Sequence, residues 1–166
     1  MSIEISKIER ELETWSSKTI RMVIIGIGNP LRKDDAVGLE VLGSLQANHS
    51  DSVLLIESET VPENFIEPII TFNPSHLLII DAALMGLEPG SVQLMEQIMT
   101  RSRPISTHAL PLSLFSDHIR DRIGAKVALL AIQPENTDFG EGLTKELKKT
   151  VRSLNKILEK ILSNIK

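Results

Sequence analysis

Apolar residues fall into two rhythms that alternate along the chain. Ile5, Ile8, Leu12 and Trp15 recur at helical spacing and predict a short amphipathic helix over 3–17. A continuous, mostly β-branched run at 23–27 then predicts a buried strand that ends in the sharp Gly28-Asn29-Pro30 loop. Val37, Val41, Leu42 and Leu45 follow on one helical face, and 52–56 is a second strand. Thr60 and Glu63 have the Thr-x-x-Glu form of a capping box, which opens a helix through Phe65, Ile66, Ile69 and Ile70. Pro68 should kink or shorten that helix.

Every residue of 77–80 is apolar, as in a strand covered on both faces, and this strand ends on Asp81. Turn residues at 87–90 lead to a short, partly alternating run at 91–94, which is more edge-like than central. A loop over 97–110 precedes a helix carrying Leu112, Phe115, Ile119 and Ile123. The last strand, 126–132, is stopped by Gln133-Pro134. Apolar residues at 143, 147, 151, 154, 158, 161 and 165, in steps of three and four, give the clearest helix of all. Buried runs that alternate with amphipathic helices predict an α/β three-layer fold with a largely parallel sheet. Ligands in such folds collect beyond the carboxyl ends of the strands, so the loops after 28, 81 and 133 carry the functional interest.

Composition narrows the chemistry. The 166 residues contain no cysteine, which excludes disulfides, thiolate zinc sites, iron–sulfur clusters and cysteine nucleophiles. A formal charge of −4 argues against nucleic acid as a partner. No apolar run reaches the ~18 residues of a membrane span and no secretory stretch opens the chain, so a cytoplasmic protein without membrane contact is expected. With neither repeat nor linker, 1–166 is expected to be one domain, with 1–20 as an added helix ahead of a core over 21–166.

The polar residues placed for chemistry are the pair Asp34-Asp35 after the first strand, Asp81 at the end of the third, and His108 in the long loop. Two carboxylates and an imidazole suit a borderline divalent metal such as nickel or zinc, and three protein ligands leave a position open for substrate. Each residue also has a plainer reading. An Asp ahead of a helix is most often an N-cap, so one of the pair can cap while the other points out. His49, His76 and His118 read as helix-end, strand-start and helix-surface residues with no assigned role. Gly26-Ile27-Gly28 begins like a dinucleotide fingerprint, but Leu31 stands where the third glycine belongs, which leaves nucleotide or small-molecule binding as the alternative. A non-catalytic interaction protein on the same fold is a further one.

GIGNPLRKDDAVG at 26–38, LLIIDA at 77–82 and ISTHALPL at 105–112 together resemble the hydrogenase maturation endopeptidases, most closely the branch serving formate-hydrogenlyase-type and methanogen-type hydrogenases. The likeness runs in order over residues 22 to 160. It implies a three-layer α/β/α sandwich, phosphorylase/hydrolase-like, around a five-stranded mixed, mostly parallel sheet. It also implies a peptidase that removes the C-terminal extension of the nickel-loaded large-subunit precursor of a nickel–iron hydrogenase. Asp35, Asp81 and His108 occupy the family's metal-ligand positions, and Gly28 and Asn29 border the substrate. Nickel arrives with the precursor, and another divalent cation can replace it in a crystal. Asp35 and Asp81 are also the candidate catalytic groups, in the older view of these enzymes as aspartic peptidases. One departure is Ala36, where many members of the branch have glycine; it matters only if that position needs positive φ or close substrate approach.

Overall fold

A computed structural model describes residues 3–45, 49–100, 103–104 and 109–166. Its elements are α1 (Ile3–Ser16), β1 (Met22–Ile27), α2 (Val37–Ser44), β2 (Val53–Glu59), α3 (Ile66–Phe72), β3 (His76–Ala82), β4 (Val92–Met95), the short strands β5 (Met99–Thr100) and β6 (Arg103–Pro104), α4 (Ala109–Ile123), β7 (Lys126–Ile132) and α5 (Lys145–Ser163). The main sheet has the order β2-β1-β3-β7-β4. All its pairings are parallel except β4 with β7, so the edge-like run is the antiparallel strand.

Helices cover both faces because the central strands are apolar on both. Ile24, Leu78, Ile80, Leu130 and Ile132 pack in the layer that also holds Val41 of α2, Leu154 and Leu158 of α5, and Leu12 of α1. Ile25, Ile79 and Leu129, which stand in register, pack with Ile69 of α3 and Leu112 and Ile119 of α4 on the opposite face. The fold is therefore an α/β/α sandwich around a five-stranded mixed, mostly parallel sheet.

Several local expectations change. Thr60 does not cap: residues Pro62–Phe65 form a 3-10 turn whose N-cap is Val61, with no side-chain cap bond. Proline at the first position of that turn displaces the start by one residue. Pro68 is the third residue of α3, where an N–H would have no intrahelical partner, so it sits in a short helix without breaking it. β2 runs on through Glu57, Ser58 and Glu59, which an edge strand tolerates because Glu57 and Glu59 reach water and the buried Ser58 hydroxyl donates to the Gly26 carbonyl at 3.1 Å. The stretch read as a loop over 97–110 contains the β5–β6 hairpin, and α4 begins inside it at Ala109.

The N-terminal helix is built into the body. Ile8, Leu12 and Trp15 are 2%, 1% and 6% exposed against β4 and α5. His76, at the start of β3, hooks its end: Nε2 lies 3.1 Å from the carbonyl of Trp15 and Nδ1 2.9 Å from Ser75 Oγ. Among the described residues no helix is long and apolar enough to cross a membrane.

Candidate active site

Three loops leave the carboxyl ends of β1, β3 and β7, and polar side chains bind them to one another. The loop after β1 returns so closely on the strand that a Cβ on Gly28 would collide with the carbonyl oxygen of Asp35. A Cβ on Gly38 would likewise strike the carbonyls of Ile27 and Ile80. Glycine at these two positions lets the segment carrying the acidic pair lie directly on the ends of β1 and β3. Ala36, by contrast, has φ −81° and is 5% exposed, so an alanine is accommodated there without strain.

The two adjacent acids have unlike surroundings. Asp34 is fully buried, and its carboxylate accepts four hydrogen bonds from the chain beyond β7. The donors are the N–H groups of Glu135 (2.9 Å), Asn136 (3.0 Å) and Thr144 (2.8 Å) and the hydroxyl of Thr144 (2.9 Å). Rather than capping its own helix, Asp34 ties the loop after β7, as far as the N-cap of α5, to the loop after β1. Asp35 is 1% exposed; Oδ2 accepts the N–H of Asn29 at 3.0 Å, while Oδ1 has no hydrogen-bond partner among the described residues. A buried carboxylate oxygen without a donor is costly, and such a group calls for a functional explanation.

Asp81 is fully buried and is the sixth of the seven residues of β3, inside the strand rather than after it. β3 pairs with β1 in parallel register, so Asp35 and Asp81 belong to the same end of neighbouring strands. His108 lies outside the described residues. Among the described residues no three His, Cys, Asp or Glu side chains gather as a metal site. Asn29, the other loop residue singled out by sequence, turns its own backbone: Oδ1 accepts the N–H of Leu31 at 2.9 Å.

Gln133 was missed by sequence reasoning except as a strand stop. It is 8% exposed, and Oε1 accepts the N–H groups of Met85 (2.7 Å) and Leu87 (3.4 Å), which fastens the loop after β3 to the end of β7. A Gln-Pro pair after a buried strand was the available signal.

The nucleotide alternative meets two obstacles. A 3-10 turn, Lys33–Ala36, stands between the loop and α2, and the two residues at its centre are buried acids. A phosphate placed there would face carboxylates in place of free N–H groups.

An α/β/α scaffold with buried acids near the carboxyl ends of adjacent parallel strands places them where α/β proteins build their sites. Comparison with known proteins makes the class specific. The family model described as "HycI: Hydrogenase maturation protease" matches residues 39–163, a stretch that contains Asp81 and His108 and begins after Asp35. A Methanocaldococcus jannaschii protein named "Putative hydrogenase maturation protease" is 35% identical over 153 residues, covering 85% of this chain and 90% of the relative. The hydrogenase 3 maturation protease of Escherichia coli K12 is 30% identical over 138 residues, covering 82% and 88%. The crystal structure of a [NiFe] hydrogenase maturation protease from Thermococcus kodakarensis superposes with a TM-score of 0.84 at 31% identity, over 93% of this chain and 99% of that one. The chain belongs to the hydrogenase maturation protease family and is a peptide hydrolase.

Proposed function

We propose that this protease removes the C-terminal extension of the nickel-loaded large-subunit precursor of a nickel–iron hydrogenase, in the cytoplasm, with residues 1–166 acting as one domain. Nickel is part of the substrate, and Asp35, Asp81 and His108 complete its coordination. The observation that carries the assignment is the contrast between the two acids: Asp34 is saturated by four donors, whereas Asp35 keeps a buried oxygen with none. Carboxylate oxygens and an imidazole fit a borderline divalent ion, and without sulfur ligands they should hold it only modestly unless the precursor supplies the rest. Unloaded precursor is then ignored.

The ion supplies Lewis acidity, at the scissile carbonyl or at an attacking water. The chain's own residues do the remaining work. Gly28 and Asn29 border the peptide beside Asp35, whose Oδ2 the Asn29 N–H holds in place. Asp35 or Asp81 takes the proton that the attacking water gives up. The joined loops fix both carboxylates before substrate arrives, which lowers the reorganisation the reaction would otherwise need.

The test mixes purified protein with nickel-loaded and nickel-free precursor and weighs the products. Truncation of the loaded precursor alone is expected. Equal cutting of both, or of neither, overturns the proposal.

A further inference from the structure

Several of the large apolar side chains left in water stand at the same end of the sheet as the acids. Among the described residues Leu31 (47% exposed), Leu84 (64%) and Phe139 (83%) stand on the loops after β1, β3 and β7 respectively. Ile20 ahead of β1 (73% exposed) and Leu114 on α4 (66%) are exposed as well, and scattered residues of that kind need no explanation; Leu31, Leu84 and Phe139 differ in standing on the three loops that leave the carboxyl ends of β1, β3 and β7.

Phe139 is the most exposed of them, and its loop has little freedom to hide it. On its C-terminal side the Gly140 N–H donates to the Leu31 carbonyl at 2.8 Å, and the Lys33 N–H donates to the Gly140 carbonyl at 2.9 Å. On its N-terminal side the Asp138 N–H donates to Asn136 Oδ1 at 2.8 Å, the Asp34 N–H to the Asn136 carbonyl at 3.0 Å, and Arg32 Nε to the Thr137 carbonyl at 3.2 Å. The buried Asp34 carboxylate closes the loop from beneath. The backbone of the Phe139 loop is thereby tied to Leu31, which lies four residues before Asp35 in the chain. β3 lies between β1 and β7 in the sheet, so the joined loops pass the end of the strand that carries Asp81.

An aromatic side chain presented to water on a loop whose backbone is held by hydrogen bonds is suited to binding a protein. The loop's ordering cost has been met in advance, and aromatic anchors carry a disproportionate share of interface energy. Building on the peptidase assignment, we infer that Phe139 and Leu31 form a specificity ledge that grips an apolar surface of the large-subunit precursor beside the scissile segment. The occupant is the client polypeptide because Leu31 stands on the loop that carries Asp35 and the Phe139 loop is bonded to it, so the exposed apolar pair is continuous with the proposed site.

The test follows capture of nickel-loaded precursor on immobilised protein in the first seconds of contact, and weighs the product from the same mixture. Phe139→Ala and Leu31→Ala should each weaken capture, Phe139 by at least about tenfold, with unchanged thermal unfolding, and Phe139→Leu should restore part of it. Ile20→Ala, at a residue 73% exposed ahead of β1 at the far end of the sheet, is the control and should capture normally. Wild-type capture by Phe139→Ala, an equal loss in Ile20→Ala, or no capture by the wild-type protein overturns the inference. Capture without truncation by the wild-type protein overturns the peptidase assignment and leaves the ledge standing.

Discussion

Asp34 and Asp35 show how neighbouring residues of one type acquire opposite tasks. Three N–H groups and a hydroxyl converge on the Asp34 carboxylate, and charge-assisted bonds of this kind are worth about 1.5–3 kcal/mol each before the unfolded state is counted. Asp34→Ala should therefore lower stability by roughly 3 kcal/mol or more, read as a fall in the denaturant midpoint. A change within about 0.5 kcal/mol would mean that the clamp contributes nothing. Asp35 presents the reverse case: Oδ2 holds one donor, the Asn29 N–H, and Oδ1 is buried with none among the described residues, so its charge adds little to stability. Asp35→Asn should keep or raise the melting temperature while abolishing truncation of the loaded precursor; retained processing would remove Asp35 from the site. The sequence pattern leaves the two acids unresolved because the donors that separate them lie 101 to 110 positions further along the chain. Local spacing reports what a residue does to its own helix and says nothing of a loop that arrives from another strand.

The elements were legible wherever burial sets the period. α5 matches its three-and-four spacing, with Leu147, Val151, Leu154, Leu158 and Ile161 all buried, and the runs at 23–27 and 126–132 are strands almost to the residue. Errors occur where a short polar signal competes with backbone geometry, as at Thr60, which loses the N-cap position to Val61. His76 was correctly placed at a strand start, but its role in holding α1 depends on tertiary contact. Burial, and then the charge of Lys126, hold its pKa below 6.5, against an opposing pull from the Trp15 carbonyl. Above 6.5 both folded and unfolded chains carry it neutral. As pH falls through 6.5 the unfolded chain takes a proton that the folded chain resists, so stability declines with falling pH until the lower native value is passed. His76→Gln should flatten that decline just below 6.5 in denaturant titrations at several pH values. An unaltered slope would show that α1 is not held through a neutral imidazole.

At the scale of the molecule, the strand order explains why a site exists at this end. Parallel β1, β3 and β7 all deliver their chains to one end of the sheet, where Asp34 and Gln133 tie the resulting loops and Asp35 is the group we propose as reactive. The direction of the sheet and the edge that carries the chemistry follow from alternating buried runs and helices; the ties do not, because each joins loops from different strands. A scaffold so divided should let stability and activity fail separately. Ile79 is fully buried in the central strand, registered between Ile25 and Leu129, with helices above and below. Ile79→Asp places a charge where no partner can reach it, at a cost comparable to the roughly 5–15 kcal/mol that holds an entire domain. That variant should show no cooperative thermal transition. His108 belongs to the segment read from sequence as a loop ahead of α4, and His108→Ala should melt with the wild-type protein yet leave nickel-loaded precursor uncut. The informative comparison is between the two melts and the two product masses taken together. A His108→Ala protein that processes precursor at the wild-type rate would take the imidazole out of the ligand set, whereas one that also fails to fold would make His108 a structural residue.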